Sequence, residues 1–510
     1  MLSFRDDQAE SSRAVDPGLL RGTRDFRRRV ESRRLKVSGS LGEGRASLGQ
    51  VFTPLNAADL LVEMIQPRAD FRLLDPGAGT GSLTAAAVCR WLSSPGPEEM
   101  EVVAYELDHA LVPHLMETLR EAESLASNFG RTLRYEVRPV NFILDPPDVE
   151  EATVVVMNPP YRKLAGASPE RKALERLDQP VRVPNLYAAF MVRGIRSLGA
   201  GGQMVAITPR SFANGPYFRD LRADLLARAS FDQVHTFTAR NRVFSDAAVL
   251  QENIIFSMRA GVDPGPVSVT SSRDATGGSE TWTAPNEQIV HPGDPQSFVR
   301  LPLNEEATAV AEAILDLPCS LKDLGFSVST GRVVDFRAKS FLRPGPESGT
   351  VPLVYPQNLR DGTVSWPRKG RKAQGLVWDT ETAGLLLPNE HYVLVKRFTS
   401  KEEARRVVAA LSSPRDFGPV DYVAFENHLN VFHDRGRGLD ETLATGLRNY
   451  LNSRLVDEFV RQFSGHTQIN ATDLRELRYP SPADLRRLAG EAATVGSIVA
   501  RKQEPCAAAA

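Results

Sequence analysis

"LLDPGAGTGSL" (residues 73–83) decides how the first half of this 510-residue chain folds. Two leucines lead into Asp75. Gly77, Gly79 and Gly81 then alternate with Ala78 and Thr80 ahead of the helix-forming "SLTAAAVCRWL". Glycine tolerates unusual dihedrals and lets a backbone come close to a ligand. The stretch therefore predicts a strand, a tight loop and a helix arranged around a small molecule. It is not a dinucleotide fingerprint, because the third glycine comes one residue early and Ser82 takes its place. It is not a P-loop either, since no Gly-Lys-Ser/Thr follows.

Outward from this loop, short apolar runs alternate with helical patterns. "EVVAYELD" predicts a second strand, "YEVRPVNF" a third, "ATVVVMNPP" a fourth, "NLYAAFMVRGIRSL" a helix and "GGQMVAITP" a fifth strand. This rhythm predicts an α/β fold with a mainly parallel sheet covered on both faces. Residues 1–45 are polar and arginine-rich and are expected to be a basic, loosely ordered arm. Residues 46–260 form the expected catalytic domain. Residues 261–300, rich in Gly, Pro, Ser and Thr, form an expected boundary region with short strands or loops. Residues 301–510 lack the βα rhythm and are expected to form a separate mixed α/β domain.

Composition narrows the class. With 42% hydrophobic and 25% charged residues, the chain matches a soluble globular protein. Cys89, Cys319 and Cys506 are far apart, which argues for a reducing compartment and against a zinc or disulfide framework. No run is long and apolar enough for a membrane, and the N-terminus lacks a signal peptide's apolar core. The expected location is the cytoplasm, with no metal and no membrane partner. The formal net charge of −1 hides two basic stretches. Residues 21–36 carry eight basic and two acidic residues, and residues 360–372 five basic and one acidic. Each is either a solvated face or a phosphate-contacting surface.

Glu106 ends the second predicted strand, in "VVAYELD". By itself it could equally be a solvated strand end. Beside Asp75 and three glycines, it becomes a carboxylate able to accept both hydroxyls of an adenosine ribose. No lysine is present to grip phosphates, so an adenosyl ligand without them fits best. S-adenosylmethionine is such a ligand.

The fourth strand leaves through Asn158, Pro159, Pro160 and Tyr161. In an open parallel sheet, ligands sit beyond the carboxyl ends of the strands near the topological switch point. The glycine loop and Asn158 can therefore be neighbours. An exocyclic amine on a flat base is a poor nucleophile, because its lone pair is delocalised into the ring. Two acceptors on its N–H groups favour localising that pair. The Asn158 side-chain oxygen and the Pro159 carbonyl can supply them, held in place by the paired prolines. Tyr161 offers a face for an extruded base. Asparagine is no general base, so direct in-line displacement is expected. "LDPPDVE" (144–150) lacks the aromatic and is read as a loop.

Together, "DPGAGTG" and "NPPY" resemble the amino-group DNA methyltransferases, in the adenine-N6 branch of restriction–modification systems. That resemblance implies a Rossmann-like S-adenosylmethionine-dependent methyltransferase sheet. "LGQVFTP" (48–54) resembles the branch's first cofactor motif, which implies Phe52, Thr53 and Pro54 at the methionine end. "VRPVNFIL" implies Asn141 and Phe142 beside the cofactor adenine, although the family often has aspartate at the first position. "NRVFSDAAVLQENIIF" implies Phe244 packing on the flipped base opposite Tyr161. The motif order resembles the gamma arrangement, and the resemblance spans roughly residues 45 to 260.

Phrases of the C-terminal half, "YVLVKRFTSKEEARRVVAA", "ENHLNVFH" and "FSGHTQINATDLRELRYPSP", resemble the recognition half of Eco57I-like and PstI/BsuBI-like adenine methyltransferases. This implies a DNA target-recognition domain over 301–510. Lys396, Arg397, His428, Asn430, His433, His466, Gln468 and Asn470 are its candidate DNA-facing residues. The expected partner is double-stranded DNA held by locally basic walls. Any cognate restriction endonuclease is expected to be a separate chain, without stable association, since about 45 residues before the first motif are too few for a nuclease domain. Two alternatives stay open. One is methylation of a protein glutamine amide or an RNA base. The other is a non-catalytic DNA specificity subunit.

Overall fold

A computed structural model describes residues 17–40, 52–147, 152–237, 252–275, 277–301, 305–368, 370–399, 403–463, 468–490 and 494–499. The chain divides into two compact units, Met1–Asn286 and Glu287–Ala510.

The first unit begins with α1 (Pro17–Ser40) and α2 (Leu55–Glu63), then β1 (Arg72–Asp75), α3 (Ser82–Ser93) and β2 (Glu99–Tyr105). Next come α4 (Val112–Asn128), β3 (Thr132–Arg138), β4 (Ala152–Met157), α5 (Pro169–Glu175), α6 (Leu186–Arg196) and β5 (Leu198–Pro209). It closes with α7 (Arg219–Leu226), β6 (Ala229–Phe237), β7 (Asn253–Ala260), β8 (Val267–Ser272) and β9 (Ser279–Ala284). The nine strands form one sheet in the order β3-β2-β1-β4-β5-β7-β6-β8-β9. β3 to β5 run parallel, and β7 enters antiparallel between β5 and β6. The central strands are continuous apolar runs because both faces are covered: all six residues of β4 are buried. The parallel order reverses direction at the β1–β4 pair. Its register, Leu73↔Val154 and Leu74↔Val155, sets the glycine loop level with Asn158.

Two sequence expectations need correction. Residues 17–40 of the supposed loose arm form α1, which packs on α3 and α4 with Phe26 and Val30 essentially inaccessible to solvent. An apolar face at 19, 26, 30 and 37 runs through the arginines, and composition alone concealed it. The catalytic sheet also continues past 260, because β8 and β9 add to its edge. Val267 and Val269 alternate with Ser268 and Thr270, a period-2 pattern diluted by the surrounding Gly and Pro.

The second unit holds a six-stranded and a five-stranded sheet, both mixed, with its own apolar clusters. One cluster is capped by helices Glu441–Leu451 and Pro482–Ala489. Cys89 is free and buried. Among the described residues, no helix is long and apolar enough to cross a membrane.

Candidate active site

The glycine loop turns at Gly79 and Gly81, with φ of 58° and 89°, where a side chain would be strained. A Cβ on Gly81 would also lie 2.9 Å from Thr118 Cγ2, so α4 passes too close for any larger residue. Asp75 is wholly buried beneath the loop, and its Oδ2 accepts the Thr84 hydroxyl at 2.8 Å. Burial pushes its carboxyl up to about 7. Asp75 is thus an anchor that ties the loop's entry to α3, and it is not part of the pocket wall.

Glu106 leaves β2 at the level of the loop. Its Oε2 accepts the Gly79 N–H at 2.8 Å, and its Oε1 accepts the Asp108 N–H at 2.7 Å. Burial raises its pKa, while those two N–H bonds pull the other way. The carboxylate is therefore fixed in orientation before any ligand arrives, and each oxygen keeps a lone pair for a hydroxyl.

An open pocket of about 800 Å³, including its solvent-filled mouth, lies over the switch point. It gathers Phe52, Gly77, Gly79, Glu106, Asn141, Phe142, Asn158 and Pro160, all singled out from the sequence. Phe142 packs edge-on to Tyr105, with centroids 5.2 Å apart, and against Phe190 at 5.4 Å. Asn141 donates to Glu170 at 3.1 Å and accepts the Ile143 N–H at 3.0 Å.

Sequence reasoning missed Phe190, Glu170, Leu107 and Arg162 as lining residues. Local signals existed for two of them. Asn185 caps α6, accepting the Ala188 N–H at 3.2 Å, and so sets the helix that carries Phe190. Ser168 followed by Pro169 starts α5 and presents Glu170 in its first turn.

Asn158 is buried at the end of β4 and tied on both sides. Its Nδ2 donates to Thr53 Oγ1 at 3.0 Å, and its Oδ1 accepts the Tyr161 hydroxyl at 3.2 Å. Thr53 thereby joins Asn158 to the segment before α2, where the Pro54 carbonyl accepts the first helical N–H, that of Ala58, at 3.0 Å. Pro159 is buried. Ala78 is buried too, and donates its N–H to the Tyr105 carbonyl at 2.9 Å. Tyr161 is half-buried and meets Tyr187 edge-on at 6.1 Å, and Tyr187 stacks on Phe218 at 5.6 Å. Burial pushes the Tyr161 hydroxyl above the ordinary phenol range, so it stays a donor at neutral pH. Phe244 lies outside the described residues.

The pocket's chemistry fits S-adenosylmethionine. Glycine backbone and an oriented carboxylate can meet a diol, Phe52, Leu107, Phe142 and Phe190 form apolar walls, and among the described residues no lysine lines it. Among the described residues, no group of three or more His, Cys, Asp or Glu could hold a metal ion.

In the second unit, the expected DNA-facing residues separate. Asn430 is buried and donates to the Ile469 carbonyl at 2.8 Å, so it holds the fold and is not exposed to DNA. His433 bonds Ser329 at 3.0 Å and the Gly436 N–H at 3.0 Å, and Asn470 caps a short helix. His428 is half exposed, bonded to the buried Glu426 and tilted against the exposed Phe398 beside Arg397. Lys396 and Gln468 are partly exposed, and His466 lies outside the described residues.

The chain is similar to known proteins over most of its length. Residues 112–244 match the model of the Eco57I restriction-modification methylase family. Type II methyltransferase M.PstI of Providencia stuartii is 38% identical over 91% of this chain and 93% of its own length. Type II methyltransferase M.BsuBI of Bacillus subtilis is 37% identical over 89% of this chain and 91% of its own. Among solved structures, the type IIL restriction-modification enzyme MmeI in complex with DNA is similar at 12% identity and TM-score 0.47, over 86% of this chain and 64% of that one.

Proposed function

Because the chain belongs to the type II methyltransferases of restriction–modification systems, we propose that it transfers a methyl group from S-adenosylmethionine to the N6 amine of an adenine extruded from duplex DNA. The observation that carries this reading is a shared wall: Asn158 and Pro160 line the same pocket as Gly77, Gly79 and Glu106. When bound, the cofactor supplies an electrophilic methyl. The chain's own residues bind and orient. Glu106 accepts the ribose hydroxyls, and Phe142 with Phe190 encloses the adenosyl end beside Asn141.

Thr53 holds the Asn158 amide nitrogen, which turns the amide oxygen towards Tyr161. In our reading, that oxygen exchanges or shares its Tyr161 bond for one from the target amine. The Pro159 carbonyl accepts the amine's second N–H. Both acceptors strengthen as the nitrogen pyramidalises, so their effect falls on the transition state. The Tyr161 ring covers the extruded base, and Phe244 is its proposed counterpart. Proton loss follows transfer, because the Asn158 amide is itself no base.

The second unit is the proposed reader of DNA sequence. A cognate endonuclease on a separate chain and a cytoplasmic location complete the reading.

The test is transfer of labelled methyl from S-adenosylmethionine to duplex DNA by the purified protein. Expression in a methylation-free host with modification-sensitive genome sequencing follows, and a single recurrent methyladenine motif is the expected result. Transfer to protein or RNA but not DNA would overturn the substrate. No transfer to any of the three would favour a non-catalytic specificity subunit.

A further inference from the structure

We propose that Arg33 of α1 is a positioning residue of the cofactor loop, acting through the Thr118 hydroxyl on the carbonyl of Thr80. Thr80 sits between Gly79 and Gly81, both left-handed, so its peptide plane is held mainly by hydrogen bonds and not by side-chain sterics. One of those bonds comes from α4. Thr118 Oγ1 lies 2.7 Å from the Thr80 carbonyl oxygen and 3.1 Å from the carbonyl of His114, four residues earlier on its own helix.

A threonine within a helix ordinarily turns its hydroxyl proton back to the i−4 carbonyl. Thr118 has a single proton to give, and its rotor decides which carbonyl receives it. Arg33 biases that choice. Its Nη1 donates to Thr118 Oγ1 at 2.8 Å, occupying an oxygen lone pair and polarising the hydroxyl towards Thr80. The guanidinium is fixed in turn by Glu117, at 2.9 Å, and Glu121, which flank Thr118 on α4. Its side chain is only 9% exposed and Thr118 is fully buried, so this relay is shielded from water. An arginine that composition would assign to a phosphate-binding arm instead orders the loop that faces the cofactor.

The inference rests on the pocket taking S-adenosylmethionine, and steady-state kinetics with direct titration test both. Thr118→Val removes the hydroxyl at constant shape, and Arg33→Gln removes the charge that orients it. Each is expected to raise the KM and Kd for S-adenosylmethionine about three- to tenfold, the worth of one hydrogen bond. Turnover at saturating cofactor and the KM for DNA should stay within about twofold. Thr118→Ser, which restores the hydroxyl, should recover the wild-type cofactor Kd. If Thr118→Val fails to fold, Arg33→Gln carries the test alone, with Arg33→Lys as its partial rescue. Wild-type cofactor affinity in folded variants would overturn the proposal, as would a fall in turnover with cofactor KM unchanged. Failure of the wild-type protein to bind S-adenosylmethionine at all would remove the cofactor reading and this inference with it.

Discussion

At the scale of single residues, the site works by tying groups before a ligand arrives. Asn158 is held at both ends of its amide, so its oxygen needs little reorganisation to meet an amine. Asn158→Ala should lower methyl transfer by about a hundredfold or more while leaving the Kd for S-adenosylmethionine near wild type. A variant that keeps half its turnover would refute the acceptor role. Tyr161→Phe loses only the bond to Asn158 and keeps the ring, so its cost should stay below about tenfold. Tyr161→Ala removes the stacking face and should cost more, a ranking that single-turnover rates read directly.

Asp75 adds a pH signature. Its folded-state pKa is raised from 3.8 to about 7, so its contribution to stability is full below 3.8 and is lost as pH rises through about 7. The ligand-free protein should lose melting temperature relative to Asp75→Asn between pH 5 and 8. A constant difference across that window would show that Asp75 is ionised throughout.

The glycines, Glu106 and Asn158 were legible because each belongs to a local pattern of residue type and spacing, whereas Asp75, expected at the cofactor, anchors the loop from beneath. The tie between Thr53 and Asn158 was not legible, since 105 residues separate them and only the sheet order brings them together.

At the scale of elements, the loop and the helices around it form one packed device. Gly81→Ala combines φ of 89° with a Cβ against Thr118 and should destabilise the first unit by about 1–3 kcal/mol, readable by chemical denaturation. On β6, His235 is buried, with Nε2 2.8 Å from the Ser272 hydroxyl and its ring stacked on Phe237. Burial lowers its pKa from 6.5 to about 4. Its stabilising contribution is therefore present above pH 6.5 and lost as pH falls through about 4, the opposite sign to Asp75. His235→Gln should be less acid-sensitive than wild type over that range in thermal melts.

The strands were read correctly where apolar runs are long, as in β4. α1 escaped because charge density hid its buried stripe, and the place of β8 and β9 in the first sheet, in a region expected to hold short strands or loops, escaped because turn-forming residues surround them.

At the scale of the whole molecule, two units carry separate apolar clusters. A bound cofactor stabilises only the unit that holds it, by mass action. S-adenosylmethionine should therefore raise the melting of the first unit in calorimetry. Gly446→Ala should lower that of the second, since its Cβ would lie 1.8 Å from the Leu485 carbonyl oxygen where two helices cross. A cofactor-induced shift in the transition that Gly446→Ala lowers would contradict this assignment.

The sequence by itself determined the βα rhythm, the glycine loop, the strand-end carboxylate and the Asn-Pro-Pro-Tyr turn, because each is written in contiguous residues and backbone preference. Only the tertiary structure decided that Asp75 anchors and does not line, that Thr53 orients Asn158, and that an arginine-rich segment packs against the catalytic sheet's helices. Those relations join residues far apart in the chain, and they are set by which side chains can be buried together with their hydrogen bonds satisfied.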